Sequence, residues 1–335
     1  MNFIFKVAIA SLLVAPFGSG CGGSGPSQAE APKPVLDDKP AKADTGGASA
    51  EAMAALEAAE AKKFDEAKTK ADAVLAKNPK DAVAHYARGI VAESEKDLDG
   101  AEKHYRAALE ADPKLVGASI FLSALLIDKK QWDEAAKVAR TGIAASKGTP
   151  ELHINLASAL HGAGDHATAA KSYGNAVALK PEDAELRLWH GQELIDAGDK
   201  DGAAKAFKGA LAKAKGNTSV IALGGLGLKD AGDLPGCVAA FDQAIAVKAA
   251  APFFTERGLC KHAAKDLAGA RKDLDESIKL DPSSKSHFYA AKFAEEAGDK
   301  KACFSHFTEA AKLAAAAKPG TKVEEEAKKG AARCK

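Results

Sequence analysis

From about residue 50 onward, apolar residues recur at intervals of three and four, the spacing that gathers them on one face of an α-helix. The stretch from Asp97 to Pro113 shows the pattern with both ends marked. Asp97 or Asp99 can cap the start, because a short carboxylate accepts hydrogen bonds from the unpaired amides of a first turn. Ala101, Tyr105 and Ala108 share a face, and Leu109 joins them. Asp112-Pro113 then ends the helix, since proline disfavours helical geometry in the residue before it.

The same pattern returns down the chain as Ala169, Tyr173, Ala176 and Pro181, and as Ala270, Leu274, Ser277 and Pro282. The pairs Phe207/Ala210 and Phe241/Ala244 repeat it in shorter form. A preceding helix carries Gly89, Gly191, Gly225 or Gly258 at one shared place, and the turn after it reads Gly164-Asp165, Gly198-Asp199, Gly232-Asp233 or Gly298-Asp299. From Pro79 to Pro113 is 34 residues, one unit. Two helices, a glycine-containing turn and a closing Asp/Lys-Pro resemble the tetratricopeptide repeat. That resemblance implies an all-α fold: a right-handed α-solenoid of about eight helix-turn-helix units over residues 51–335, closed by a polar capping helix from Val323 to about Arg333. Small residues let paired helices approach, and the aromatic fills the space beside them.

Three units depart from the pattern. The first, about Ser49 to Asp81, holds Ala71 at the aromatic place, as suits an end unit that meets water on one side. The third ends in Ser146-Lys147-Gly148-Thr149-Pro150, where a shift of helix spacing is expected. The sixth carries Gly224, Gly225 and Gly227 in its first helix, a cost of about 2–3 kcal/mol against alanine. It is a soft point unless close packing compensates.

The chain is 46% hydrophobic but only 6% aromatic, which suits close helix packing over one thick core. Its net charge of +1, with both signs interspersed, offers no basic face for phosphate neutralisation and argues against nucleic acid as a partner.

Residues 1–20 read as an export signal: Lys6 is followed by the apolar run Val7–Phe17, too short to span a bilayer, which takes about 20 residues. Gly18-Ser19-Gly20-Cys21 is similar to a bacterial lipoprotein signal, which implies lipidation of Cys21. Gly18 departs from that motif, where an aliphatic residue is usual, and leaves ordinary cleavage open. Residues 21–50, rich in Pro, Gly, Ser, Ala and Lys, form a disordered linker by composition. The expected location is outside the cytoplasm, membrane-anchored, in the periplasm or at the outer membrane.

With Cys21 lipidated, four cysteines remain. Cys237 and Cys303 take the small-residue place near the start of a second helix; Cys260 lies late in a first helix and Cys334 ends the closing one. Alternating helix direction brings Cys237 near Cys260 and Cys303 near Cys334, and an exported chain permits bridges if the α-carbons lie within about 7 Å. Cysteine as a small apolar residue is the alternative.

No catalytic constellation emerges, so the chain is read as a non-enzyme without cofactor or metal. His85, His153 and His287 share one early place in the first helix and mark packing. His161 and His166 straddle a turn five residues apart, unlike the ligands of a zinc helix. Gly224–Gly227 lack the Gly-Lys-Ser/Thr ending of a P-loop. What the resemblance implies instead is a groove lined by first helices that takes a partner peptide or helix. Its inward positions would include Tyr86, Ile90, Ile120, Ala124, Ile127, Ile154, Ser158, Leu188, Gln192, Ile195, Leu226, Leu259 and Phe288. The lysine and asparagine that clamp a terminal carboxylate in the family's chaperone-tail binders are replaced here by Tyr86/Ile90, Ile120/Ala124 and Ile154/Ser158. The expected function is a protein-interaction scaffold at the bacterial cell envelope; a structural spacer and an accessory subunit of an envelope enzyme or assembly machine are the alternatives.

Overall fold

The structure, a computed structural model, describes residues 49–146 and 148–335. The expected export signal, Cys21 and nearly all of the expected linker lie outside the described residues. Those described form helices and turns, with no strand among them. They fall into two compact units that meet in sequence between Gly198 and Asp199.

The first unit contains α1 (Ala50–Glu60), α2 (Phe64–Lys77), α3 (Ala82–Ser94), α4 (Leu98–Ala111), α5 (Val116–Asp128), α6 (Trp132–Ser146), α7 (Pro150–Gly162), α8 (His166–Leu179) and α9 (Ala184–Asp196). The second contains α10 (Lys200–Lys213), α11 (Thr218–Asp230), α12 (Leu234–Val247), α13 (Ala251–Ala263), α14 (Leu267–Leu280), α15 (Ser284–Glu296), α16 (Lys300–Ala317) and α17 (Lys322–Arg333). Paired in order, α1 to α8 make four packed helix-turn-helix repeats in the first unit and α11 to α16 make three in the second, where α17 packs on α16 as the closing helix; α9 and α10 are the fifth repeat in chain order. This is an all-α solenoid architecture of helix-turn-helix units.

Caps fix where each helix begins. Asp97, not Asp99, caps α4, its carboxylate accepting from the Gly100 amide at 2.9 Å. Asp165, Asp199, Asp233, Asp266 and Asp299 do the same for α8, α10, α12, α14 and α16. At the third repeat's end the helix spacing does not shift: α3, α5, α7 and α9 start at residues 82, 116, 150 and 184, a steady 34 apart. Thr149 caps α7 and Pro150 opens it, so this pair replaces the Asp-Pro found elsewhere. The spacing changes later, to 33, for the starts at residues 218, 251 and 284.

Glycine on a first helix makes a notch for the aromatic of the second. A methyl group on Gly89 would sit 2.3 Å from the Tyr105 ring, and one on Gly330 of α17 would sit 2.6 Å from Phe307. The three-glycine helix α11 is packed by the same device. Gly225 lies against Phe241 and Ala240, and a methyl group on Gly227 would lie 2.4 Å from Phe207. Close approach therefore compensates the lost helix propensity.

In the first unit the core is continuous from Ala52 to Ala169. Tyr86, Tyr105 and Phe121 meet edge to face or tilted, with centroids 5.8–6.1 Å apart. Helix α5 is buried nearly all round, as a helix apolar on every side must be. In the second unit, cystines join Cys237 of α12 to Cys260 of α13, and Cys303 of α16 to Cys334 beyond α17, with α-carbons 6.1 and 5.9 Å apart. These are the two pairs that the helix order places side by side.

Candidate functional site

The thirteen residues assigned from sequence to the first-helix face divide sharply by burial. Tyr86, Ile120, Ala124, Ile127, Ile154, Ser158, Leu188 and Phe288 are buried, and so belong to the packing between helices. Ile90, Gln192, Ile195, Leu226 and Leu259 are half-buried and present part of their side chains to solvent. The division follows register. The fifth residue of a first helix (Tyr86, Ile120, Ile154, Leu188, Phe288) points at neighbouring helices, whereas the ninth (Ile90, Gln192, Leu226, Leu259) sits at the rim. In α5 and α7 the ninth residue is small, Ala124 or Ser158, and is covered. Sequence periodicity groups the fifth and ninth residues on one face; only the side-chain volumes around them decide which is reached by water.

Three carboxylates on first helices or beside them are buried deeply enough to need a stated partner. In the second unit, Glu256 of α13 binds Lys229 at 3.5 Å and Lys285. Burial pushes its carboxyl up, but the two ammonium groups outweigh that and hold it below the usual range. Asp273 of α14 takes a forked pair of hydrogen bonds from Arg257, at 2.9 and 2.5 Å, and an ion pair from Lys261 at 2.9 Å. Each of these carboxylates thus faces two full cations.

The third is different. Glu193 of α9 is 0% exposed, and its oxygens face two imidazoles: His161 Nδ1 lies 2.7 Å from Oε1 and His166 Nδ1 lies 3.1 Å from Oε2. His161 ends α7's last turn and His166 opens α8, so the turn between them brings both rings over α9 with centroids 5.4 Å apart. The carboxylate beside it raises the His161 imidazole above its ordinary value, against the effect of burial. Asp196, one turn beyond Glu193 and exposed, accepts a hydrogen bond from Gln192 at 3.1 Å. Spacing alone sets the two histidines aside, because it does not include Glu193, which comes from the next repeat. The signal available in sequence is Glu193 itself, a charged residue two places beyond Gly191, the small position shared by the first helices.

Two shallow clefts, one beside Leu274 and His306 and one beside Leu109 and Val138, hold about 90 and 110 Å³. Sites for small organic ligands run to about 300–1,000 Å³. Among the described residues no helix is long and apolar enough to cross a membrane.

One tetratricopeptide-repeat family model matches residues 52–115 and 154–218, and a second such model matches 92–159. No curated protein matches the sequence. Among solved structures, the C-terminal part of a TPR repeat-containing protein from Cytophaga hutchinsonii is 13% identical and superposes with a TM-score of 0.57, over 73% of this chain and 98% of that one. YrrB, described as a TPR protein with an unusual peptide-binding site, is 21% identical, with a TM-score of 0.47 over 58% of this chain and 97% of its own. A tetratricopeptide repeat protein from Parabacteroides merdae is 16% identical, with a TM-score of 0.45 over 76% and 98%. At these identities the likeness concerns the fold alone. With the family's repeat matched from residue 52 to 218 and the same hairpin carried on in register to residue 317, the chain is a tetratricopeptide-repeat protein, a fold that serves as a protein–protein interaction scaffold.

Proposed function

We propose that this chain is an exported scaffold, anchored by a lipid on Cys21 at the bacterial cell envelope, that docks a peptide or helix of a partner protein along its first helices. The observation that carries the docking half is the rim of ninth-position side chains. In the second unit Leu226 and Leu259 are large and apolar, yet each remains only half-buried. Leu226 and Leu259, at one register on successive first helices of the second unit, offer a partner helix two apolar anchors. Support for export comes from the signal-like residues 1–20 and from the two cystines, which persist in oxidising compartments. Lipid anchoring would raise the local concentration of the scaffold beside membrane-bound partners.

Fractionation and crosslinking test both halves. Wild-type chain should sediment with membranes and Cys21→Ala should not. A photo-crosslinker at position 223, next to the rim, should join a defined partner, and Leu226→Glu with Leu259→Glu should abolish the adduct. A Cys21→Ala chain still in the membrane fraction would overturn the anchor. An adduct indifferent to the rim charges would overturn the docking face and leave a spacer.

A further inference from the structure

We infer that His161, His166, Glu193 and Asp196 form a binding site for a divalent transition-metal ion of the zinc class. Their donor atoms lie within 4.8 Å of one another. Ligands at about 2.0–2.1 Å from a tetrahedral ion stand roughly 3.3 Å apart, so small side-chain adjustments close the set. The donors come from three elements: His161 from the end of α7, His166 from the start of α8, and both carboxylates from α9. All lie in the first unit.

Burial and charge point the same way. Glu193 is wholly buried, and although His161 Nδ1 is 2.7 Å from its Oε1, neither atom has a hydrogen-bond partner. At that distance the N–H and the oxygen lone pair are not aimed at each other. Two lone-pair donors packed side by side, off the line of a hydrogen bond, is the arrangement of ligands around a shared third atom. Two other buried carboxylates on or beside first helices each receive two full positive charges: Lys229 and Lys285 at Glu256, Arg257 and Lys261 at Asp273. Glu193 receives imidazoles, which carry charge only when protonated. A dication held between the rings and the carboxylate supplies the same two charges with both histidines neutral.

The donor chemistry selects the ion. Two imidazoles and two carboxylates suit zinc and its first-row neighbours; magnesium and calcium take oxygen ligands. Asp196 is exposed, so one side of the site faces water. Bound there, the ion clips the turn of the fourth repeat to the first helix of the fifth.

The test uses the untagged chain, stripped with chelator and titrated with Zn²⁺, and with Co²⁺ as a visible reporter. One ion per chain should bind, with cobalt absorption of a nitrogen–oxygen site, and the melting temperature should rise. His166→Ala with Asp196→Ala changes two solvent-facing ligands and should keep the helical circular dichroism. Its affinity should fall by more than the roughly 10–100-fold that losing an outer-shell partner costs. Glu193→Gln should lose the ion as well, but the surface pair is the deciding variant should that buried change impair folding. His85→Ala with His104→Ala, a histidine pair elsewhere in the unit, should leave binding unchanged. A wild-type chain that takes up no ion, or binds no tighter than the His166/Asp196 variant, overturns the site.

Discussion

The two units use one hairpin plan and hold it together by different means. In the first, the second-helix aromatic is Tyr105 or Tyr173, and the phenol hydroxyl finds a polar neighbour: Tyr105 donates to Glu93 at 2.8 Å, and Tyr173 lies 3.2 Å from Ser158. In the second, that place holds Phe207, Phe241, Leu274 or Phe307, with no hydroxyl to satisfy. There the links between neighbouring helices are two cystines and two buried charge clusters. The repeat therefore prescribes a volume and a direction at each position, and leaves the chemistry open. Adjacent hairpins contact only their neighbours, so each unit can be stabilised by its own means.

The largest expected effect would come from removing the aromatic filler of the first unit. Tyr105→Ala empties the notch cut by Gly89 and leaves the Glu93 carboxyl, already raised by burial, without its donor. Truncating a buried aromatic to alanine costs about 3–5 kcal/mol. Hydrogen exchange should show α3 to α5 losing protection while α13 to α17 keep theirs. Equal loss in both units would break the claim that they are held separately.

Next comes the converse. Cys237→Ser with Cys260→Ser opens a loop closed across 23 residues, worth about 3–4 kcal/mol on the chain-entropy model. Protection should fall around α12 and α13 and be unchanged in α3 to α5. Reductant should act on wild type in the same region, and should do nothing further to that region in the double variant.

A feature common to both units gives the third test. His85 and His104 bring their Nδ1 atoms to 3.1 Å, and His287 and His306, at the same register, to 3.0 Å. One ring must donate and the other accept, so the pair cannot tolerate two facing protons. Burial, with neighbouring positive charge at Arg88, lowers His104; burial lowers His306, and burial with His306 lowers His287. An unfolded histidine titrates near 6.5. As pH falls through that value the unfolded chain takes up protons that these folded rings resist. Stability is thus full above about pH 6.5 and is lost as pH falls toward the folded-state values. His161 has the opposite sign in metal-free protein, its stabilisation being present at low pH and lost as pH rises through its raised value. Melting temperature should drop between about pH 7.5 and 5.5, and His104→Gln with His306→Gln should flatten that drop.

Fold and candidate site were legible to different depths, for a physical reason. Helix starts, the glycine notch and the aromatic place are local in sequence, so periodicity and caps reveal them; the pairing of Cys237 with Cys260 needs only helix order in addition. The rim was half legible. Periodicity puts Tyr86 and Ile90 on one face, but Tyr86 is buried against Phe121 and Tyr105, which come from other helices, while Ile90 is only half-buried. The Glu193 cluster was not legible. The turn that joins His161 to His166 looks like any other until a carboxylate from the next repeat is folded beneath it.

The smallest effect bears on the turns between paired helices. Their left-handed residue is Lys62, Lys96 or Lys130 in the first three repeats, at φ values of 59–63°, and Gly164 or Gly198 in the next two. In the second unit it is Gly232, Lys265 and Gly298. A side chain in this conformation costs about 1–2 kcal/mol, because its β-carbon crowds the following carbonyl. Glycine avoids that strain but gives back part of the gain through a more flexible unfolded chain. Lys130 is exposed, and its backbone amide already donates to Ile127 at 2.9 Å, so the turn itself does not need the side chain. Lys130→Gly should therefore stabilise the first unit by about 0.5–1 kcal/mol. Gly232→Lys should destabilise the second by a similar amount, since nothing lies within 4 Å to obstruct the new β-carbon and only the backbone angle opposes it. Denaturant midpoints that moved in the same direction for both variants would mean that lysine contributes something in these turns beyond tolerance of the angle.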